Sequence, residues 1–105
     1  MKVLFDQGTP VPLRRHLIEH MVSTAAEKGW SDLDNGDLIE KAEQEGFEVL
    51  ITTDQNMQHQ QNITSRKLAV LILLTTAWPK IQLKIDDVRE ALTELNPGEF
   101  KEVSI

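Results

Sequence analysis

The stretch KVLFDQGTP, residues Lys2 to Pro10, joins a short apolar run to a single acid and then a turn. Val3 to Phe5 contain no polar side chain, which is typical of a strand buried on both faces of a parallel sheet. Asp6 then lies at the carboxyl end of that strand, where ligands bind in open α/β sheets. The same acid is equally suited to cap the turn that follows, and its position alone favours neither role.

A second stretch repeats this pattern. Glu48 to Asp54, EVLITTD, is again an apolar run that ends in an acid. Because the carboxyl ends of parallel strands meet at one edge of a sheet, we expect Asp6 and Asp54 to lie on the same edge. Leu68 to Leu74 is uniformly apolar, and this composition predicts a strand in the middle of the sheet.

Helices are predicted between these strands, because apolar residues recur there at helical spacing. The predicted helices cover Pro12 to His20, Leu38 to Glu45 and Ile81 to Leu95, and weaker strands are predicted over Met21 to Ala26 and Phe100 to Ile105. An extension of the preceding helix is the alternative for Met21 to Ala26. The alternation of strands and helices with short connections predicts an α/β fold with a mostly parallel sheet of about five strands between helical layers. The length predicts one domain over residues 1–105.

The composition excludes several classes of protein. Without cysteine, the chain has no disulfide, thiolate metal site or cysteine nucleophile. Seventeen acids against eleven Lys and Arg give a net charge of −6, which argues against a broad basic surface for nucleic acid. It is compatible with an acidic site that approaches phosphate through bound cations. Neither a signal peptide nor a membrane-spanning run is recognisable, which predicts a cytoplasmic protein without membrane contact.

Three acids are candidate metal ligands: Asp6 and Asp54 at strand ends, and Asp37 at the start of a predicted helix. Carboxylates that are brought together repel one another unless a cation or a proton offsets their charge. Oxygen ligands with open water positions suit Mg²⁺ or Mn²⁺, which can hold a phosphate oxygen and supply a hydroxide. Each acid also has a structural explanation, so metal binding and capping both remain open.

Trp30 and Trp78 lie in predicted loops and have two interpretations. An aromatic side chain beside a phosphate site can stack on a nucleobase. A lone Trp in a loop more often packs over the core, and we favour packing for both residues. Arg14 lies on the flank of its predicted helix, where a solvated surface role is favoured.

Four segments together resemble the short PIN-like proteins, which are regarded as nucleases and as components of toxin–antitoxin systems. They are KVLFDQGTP from Lys2, GWSDLDNGDLI from Gly29, VLITTDQNM from Val49, and Trp78-Pro79. The resemblance extends over nearly the whole chain, and TTDQN, residues 52–56, is its most specific part. It implies a three-layer α/β/α sandwich with strand order 3-2-1-4-5.

The resemblance also implies a metal-dependent endoribonuclease, which hydrolyses phosphodiester bonds. Its catalytic and metal-binding residues correspond to Asp6, Asp37 and Asp54, with Mg²⁺ or Mn²⁺ as the cofactor. Further substrate-binding positions are Thr53, Asn56, Thr75 and, toward the phosphate, Arg14. Lys80 is a second candidate for the phosphate contact. The expected partners are an RNA substrate, an antitoxin protein and a second copy of the chain.

The chain departs from the PIN pattern at one point. PIN nucleases usually carry a fourth acid near the third, whereas Gln55 and Asn56 follow Asp54 here. This departure leaves open a degenerate module without catalysis, which acts through a protein partner or as a homodimer. A receiver-like phosphorylation switch is disfavoured, because no second acid accompanies Asp6.

Overall fold

The computed structural model describes residues 1–105. Its five strands are β1 (Lys2–Phe5), β2 (Met21–Thr24), β3 (Val49–Thr52), β4 (Ala69–Leu73) and β5 (Phe100–Val103). They form one sheet in which every neighbouring pair is parallel. The predicted α/β class with a parallel sheet is confirmed.

The helices are short. A 3-10 helix (Val11–His16) precedes α1 (Ala25–Lys28), α2 (Asn35–Gln44), α3 (Met57–Gln60), α4 (Trp78–Gln82) and α5 (Ile85–Glu94). The single helix predicted from Ile81 to Leu95 is therefore two helices. The chain leaves helical geometry at Lys84, and this break lets Ile81 and Val88 both reach the same apolar core. None of the helices has the length and apolarity that crossing a membrane requires.

The strand order is 2-1-3-4-5. It is close to the predicted order 3-2-1-4-5, but β3 pairs with β1 rather than with β2, and β4 pairs with β3 rather than with β1. Phe5 is in register with Thr24 on one side and with Ile51 on the other. Because β3 is fully buried and β2 carries an exposed Met21, β3 lies inside the sheet and β2 forms its edge. The carboxyl ends of β1 and β3 are consequently direct neighbours.

Alternate side chains of the strands face two separate cores, which gives the fold its three layers. On one face, the 3-10 helix, α4 and α5 cover Val3, Phe5, Val49, Ile51, Leu71 and Leu73. On the other face, α1, α2 and α3 cover Leu4, Leu50, Val70 and Ile72. Burial on both faces explains the uniformly apolar sequences of β1, β3 and β4.

The connection from β4 to β5 has an unusual hand. It lies on the same face as the connection from β1 to β2, but it moves along the sheet in the opposite direction. Two crossover connections between parallel strands have opposite hands when they lie on the same face of the sheet and move along it in opposite directions. The first three connections share one hand, and the β4–β5 connection has the other. Since about 98% of such units are right-handed, we infer that the β4–β5 connection is the left-handed one. It places α4 and α5 on a face that only the 3-10 helix would otherwise cover.

Candidate functional site

The site lies where the strand order reverses. From β1 the chain moves to β2 on one side, and it then crosses β1 to reach β3 on the other. In open α/β sheets, ligands bind outside the carboxyl ends of the strands at such a point. Asp6 directly follows β1, and its backbone N–H donates to the Ile51 carbonyl at 3.1 Å. This bond extends the β1–β3 ladder by one residue and fixes Asp6 at the switch point.

The Asp6 carboxylate organises the turn that follows. Its Oδ1 accepts hydrogen bonds from the backbone N–H groups of Gly8 and Thr9, both at 3.1 Å, and the Thr9 hydroxyl lies 2.8 Å from the same oxygen. Its Oδ2 accepts a hydrogen bond from the Thr52 hydroxyl. The turn-capping role is therefore present, and Oδ2 still has capacity for a further partner.

The electrostatic setting of Asp6 is unfavourable to its charge. Burial raises the pKa of Asp6 above its ordinary value, although hydrogen bonds from Thr52, Thr9 and Gly8 act in the opposite direction. The ion pairs of the structure involve neither Asp6 nor Asp54. The carboxyl end of β1 thus carries a partly buried acid without a cationic side chain beside it.

Asp54 is linked to Asp6 through Thr52. The Thr52 hydroxyl, which donates to Asp6, accepts the backbone N–H of Asp54 at 3.0 Å. The Asp54 carboxylate accepts from the Asn35 side-chain amide at 2.9 Å and from the Asn56 backbone N–H at 2.9 Å. The structure therefore joins the two predicted strand-end acids in one hydrogen-bonded network.

Asp37 lies outside this network. Its backbone N–H donates to the Asp34 side chain at 2.8 Å, which caps α2, but the exposed side chain of Asp37 makes no hydrogen bond or ion pair. It lines a separate cavity of about 270 Å³ with Glu40 and Lys41. No group of three His, Asp or Glu side chains converges to hold a metal ion. A metal-binding role for Asp37 therefore rests on the resemblance alone.

Arg14, expected near the phosphate, is engaged elsewhere. Its guanidinium pairs with the Glu27 carboxylate, with Nη1 at 3.1 Å from Oε2 and a closer second contact. Glu27 also accepts the Thr24 backbone N–H at 2.9 Å, and Thr24 caps α1 in return. The pair links the 3-10 helix to α1, which is a structural role.

The remaining substrate-binding candidates differ in what their side chains contact. The Thr53 hydroxyl lies against Gly8, and the Thr75 hydroxyl accepts the Ala77 backbone N–H at 3.1 Å. The Asn56 side chain makes no capping hydrogen bond at the start of α3. Lys80 is exposed on α4 and forms no ion pair. Thr53, Asn56 and Lys80 therefore have side-chain polar groups that are free for a ligand, whereas the Thr75 hydroxyl already has a backbone partner.

A cavity of about 320 Å³ opens beside Asp6, and the sequence did not single out most of its lining. Its walls include Gln7, Trp30, Ser31, Leu33 and Asn35. Two of these residues are next to residues with a recognisable role. Gln7 directly follows Asp6, and Asn35 is the first residue of α2, directly after its N-cap residue Asp34.

Both tryptophans pack over the core, as predicted. Trp30 packs against the core on one face of the sheet and Trp78 against the core on the other. The Trp30 ring stands edge-on to Phe47, with 6.0 Å between ring centroids, and Trp78 lies 5.7 Å from the ring of His16. Of the two, only Trp30 also lines the cavity beside Asp6.

The groups at this edge of the sheet fit a hard divalent cation. The ligands on offer are carboxylate, hydroxyl and amide oxygens, which suit Mg²⁺ or Mn²⁺. Asp6 Oδ2 and each carboxylate oxygen of Asp54 accept one hydrogen bond, so each keeps acceptor capacity. Mg²⁺ is usually held by one or two carboxylates and keeps several waters, so the two carboxylates at this edge are enough protein ligands for such an ion.

Comparison with family models, with curated proteins and with solved structures gives no significant match to the chain. The functional argument therefore rests on the geometry of the site.

Proposed function

We propose that the protein is a Mg²⁺- or Mn²⁺-dependent ribonuclease of the PIN-like kind, with Asp6 and Asp54 as its metal ligands. The observation that carries this proposal is the state of Asp6. It is a partly buried acid at the switch point of the sheet, its burial raises its pKa, and it forms no ion pair that would offset its charge. A divalent cation would supply the missing positive charge.

Hydrogen bonds from neighbouring side chains would position the two acids as metal ligands. When bound, the ion would neutralise a phosphate oxygen and lower the pKa of a water molecule for attack on phosphorus. Thr52 fixes Oδ2 of Asp6 and the backbone of Asp54 through one hydroxyl. Asn35 orients the Asp54 carboxylate. Lys80 is the cation free to contact the phosphate, whereas Arg14 would first have to leave Glu27.

The test is metal-dependent cleavage of RNA by the purified protein. We expect Mn²⁺ to bind the wild type in isothermal titration and to support cleavage of a mixed RNA pool, and EDTA to abolish cleavage. Asp6→Asn and Asp54→Asn should each lower the cleavage rate about a hundredfold or more. Asp86→Asn is the matched control, because that acid is 99% exposed on α5, far along the chain from the site. A folded wild type that binds no Mn²⁺ and cleaves no RNA contradicts the proposal.

A second candidate function is a non-catalytic module that acts through a protein partner or a homodimer. The observation in its favour is that Oδ1 of Asp6 is fully used in holding residues 7–9, which is a structural task. The partner surface would include Ile18 and Met21, which are 82% and 72% exposed. Met21 is the first residue of the edge strand β2, and Ile18 lies shortly before it. In this case Met21→Glu would abolish association in sedimentation, and Asp54→Asn would leave it intact.

A further inference from the structure

Asn35 is the one asparagine of the chain that precedes a glycine. The side-chain amide of an asparagine is open to attack by the backbone nitrogen of the next residue, and a side chain on that next residue hinders the attack. Gly36 has no Cβ and so offers no hindrance. The other asparagines, at positions 56, 62 and 96, are followed by a methionine, an isoleucine and a proline, and proline has no N–H.

The fold does not require a glycine at position 36. Gly36 is not among the glycines with a positive φ. A Cβ built on it would have Oε1 of Gln61 as its nearest neighbour, at 3.4 Å, which is close to ordinary van der Waals contact. Glycine in a helix is also less favourable than alanine. Gly36→Ala is therefore compatible with the fold and provides a matched control for the chemistry of this pair.

The backbone nitrogen of Gly36 is free to react. The Asp34 side chain accepts the neighbouring Asp37 N–H, whereas the Gly36 N–H has no hydrogen-bond partner. Asn35 and Gly36 are both partly exposed, so water reaches the pair. Ring closure requires the Asn35 amide to release Asp54 and its backbone to leave helical geometry. Asn35 is the first residue of α2, where a helix end frays.

Asn35 belongs to the same site as the two strand-end acids. Its Nδ2 donates to Oδ2 of Asp54 at 2.9 Å, and the residue lines the cavity that opens beside Asp6. A carboxylate in place of this amide would face the Asp54 carboxylate. The two would repel each other unless a cation or a proton offsets their charge. A carboxylate at this position would therefore favour a divalent cation at this edge of the sheet.

We propose that Asn35 is a site of spontaneous deamidation, which adds a third carboxylate beside Asp54 and so strengthens the divalent-cation site. The Gly36 nitrogen forms a bond to Cγ of Asn35, and the bond from Cγ to Nδ2 breaks. The amide nitrogen leaves as ammonia with the Gly36 proton, and a cyclic succinimide remains. Water then adds to either carbonyl of the ring and opens it to aspartate or isoaspartate, which both carry a carboxylate. The effect on the cation rests on the proposed function, whereas the deamidation does not.

Peptide mass mapping of the protein during incubation at mildly alkaline pH tests the modification. We expect Asn35 to gain the mass of deamidation before Asn56, Asn62 or Asn96 does, and Gly36→Ala to slow the change. Circular dichroism checks that the variant remains folded. An Asn35 amide that stays intact, or that is lost at the same rate in the wild type and in Gly36→Ala, overturns the proposal.

Asn35→Asp reproduces the aspartate product and tests the effect on the cation. We expect it to bind Mn²⁺ about tenfold tighter than the wild type in isothermal titration, because the affinity of an oxygen site depends on its number of charged ligands. Without metal its urea midpoint should fall, since the hydrogen bond to Asp54 is lost, and Mn²⁺ should restore it. Asn62→Asp is the control. It adds the same charge at an exposed residue whose side chain acts as an acceptor, so both properties should stay unchanged.

The outcomes separate the modification from the nuclease. Asn35→Asp that binds Mn²⁺ no tighter than the wild type overturns the role of the modification at the cation site. If neither protein binds Mn²⁺ while Asn35 still deamidates, the proposed function fails and the modification stands. If the wild type binds Mn²⁺ and cleaves RNA while its Asn35 amide stays intact, only the modification fails.

Discussion

The Thr52 hydroxyl donates a hydrogen bond to Oδ2 of Asp6 and so ties the end of β3 to the end of β1. Thr52 is fully buried, and it accepts the Asp54 backbone N–H with the same oxygen. A buried polar residue in a strand that is otherwise apolar needs such partners, because an unpaired buried hydroxyl is costly. One side chain therefore sets the relative position of the two proposed metal ligands.

Replacement of Thr52 by the isosteric Val tests this link. The change leaves Oδ2 of Asp6 and the Asp54 N–H without their partner, so we expect the free energy of unfolding to fall by about 1–3 kcal/mol. Urea denaturation measures the effect. Thr64→Val is the control, because its hydroxyl bonds only to the exposed Asn62, and it should stay within about 0.5 kcal/mol of the wild type. Equal losses in both variants would contradict a special role for Thr52.

The raised pKa of Asp6 predicts a specific dependence of stability on pH. Between its ordinary value of 3.8 and its folded-state value, the native protein binds more protons at Asp6 than the unfolded chain does. The stability from this group is therefore present at low pH and is lost as pH rises through the folded-state pKa. Asp6→Asn has no carboxyl group to ionise at this position, so it does not lose this stability. As pH rises through the same range, its free energy of unfolding should therefore increase relative to that of the wild type. Urea denaturation from about pH 4 to about pH 8 measures the difference, and a carboxyl carbon NMR titration that places the pKa below 3.8 would refute it.

Gly8 and Thr53 lie in contact where the β1 turn meets the end of β3. A Cβ on Gly8 would come within 2.4 Å of the Thr53 hydroxyl oxygen. Gly8→Ala should therefore lower the free energy of unfolding by about 1–3 kcal/mol. Thr53→Ala removes the clashing atom, so the double variant should recover most of this loss in a thermodynamic cycle. A strictly additive cycle would place the cause elsewhere.

The two helix starts at Thr24 and Asn56 make a matched pair for stability. The Thr24 hydroxyl accepts the Glu27 backbone N–H at 3.1 Å, whereas the Asn56 side chain makes no cap bond. Thr24→Ala should lower the free energy of unfolding by about 1–2 kcal/mol, and Asn56→Ala should lower it by less than about 0.5 kcal/mol. Thermal and urea unfolding check both values. The reverse order would show that the cap of α1 is unimportant.

Asp37 is a metal ligand according to the resemblance, but its position in the structure does not support that role, and mutation distinguishes the two. Because its side chain lines a different cavity from Asp6, we expect Asp37→Asn to leave Mn²⁺ affinity unchanged in isothermal titration. Asp54→Asn under the same conditions should abolish binding. If Asp37→Asn also abolishes binding while circular dichroism shows an intact fold, Asp37 reaches the ion only after a movement of α2.

Much of the fold could be predicted from local sequence. The apolar runs of β1, β3 and β4 and the weak strand at Met21 lie where the residues predict them. The strand order could not be predicted in the same way, because pairing between strands depends on contacts distant in sequence. One signal was available, since the polar, partly exposed composition of β2 is typical of an edge and the apolar composition of β3 of an interior strand.

The site was predicted less completely than the fold. Asp6 and Asp54 follow from a simple rule about strand ends, and the structure joins them through Thr52. Asn35 and Gln7 were missed, because an amide in a loop has no pattern of its own and its role depends on which acceptor it meets. Arg14 was expected near the phosphate, but its partner Glu27 lies on an element whose placement only the sheet order determines.

The left-handed connection from β4 to β5 also affects how the chain folds as it leaves the ribosome. When residues up to Leu73 have emerged, α1 to α3 can already cover one face of a four-stranded sheet. The opposite face then has only Leu13 and Leu17 of the N-terminal region over it, until α4 and α5 emerge. A nascent chain with half of its sheet uncovered is the kind of species that aggregates or recruits chaperones. The emergence of residues 74–94 from the ribosome is therefore the stage at which we expect this protein to be most prone to aggregation.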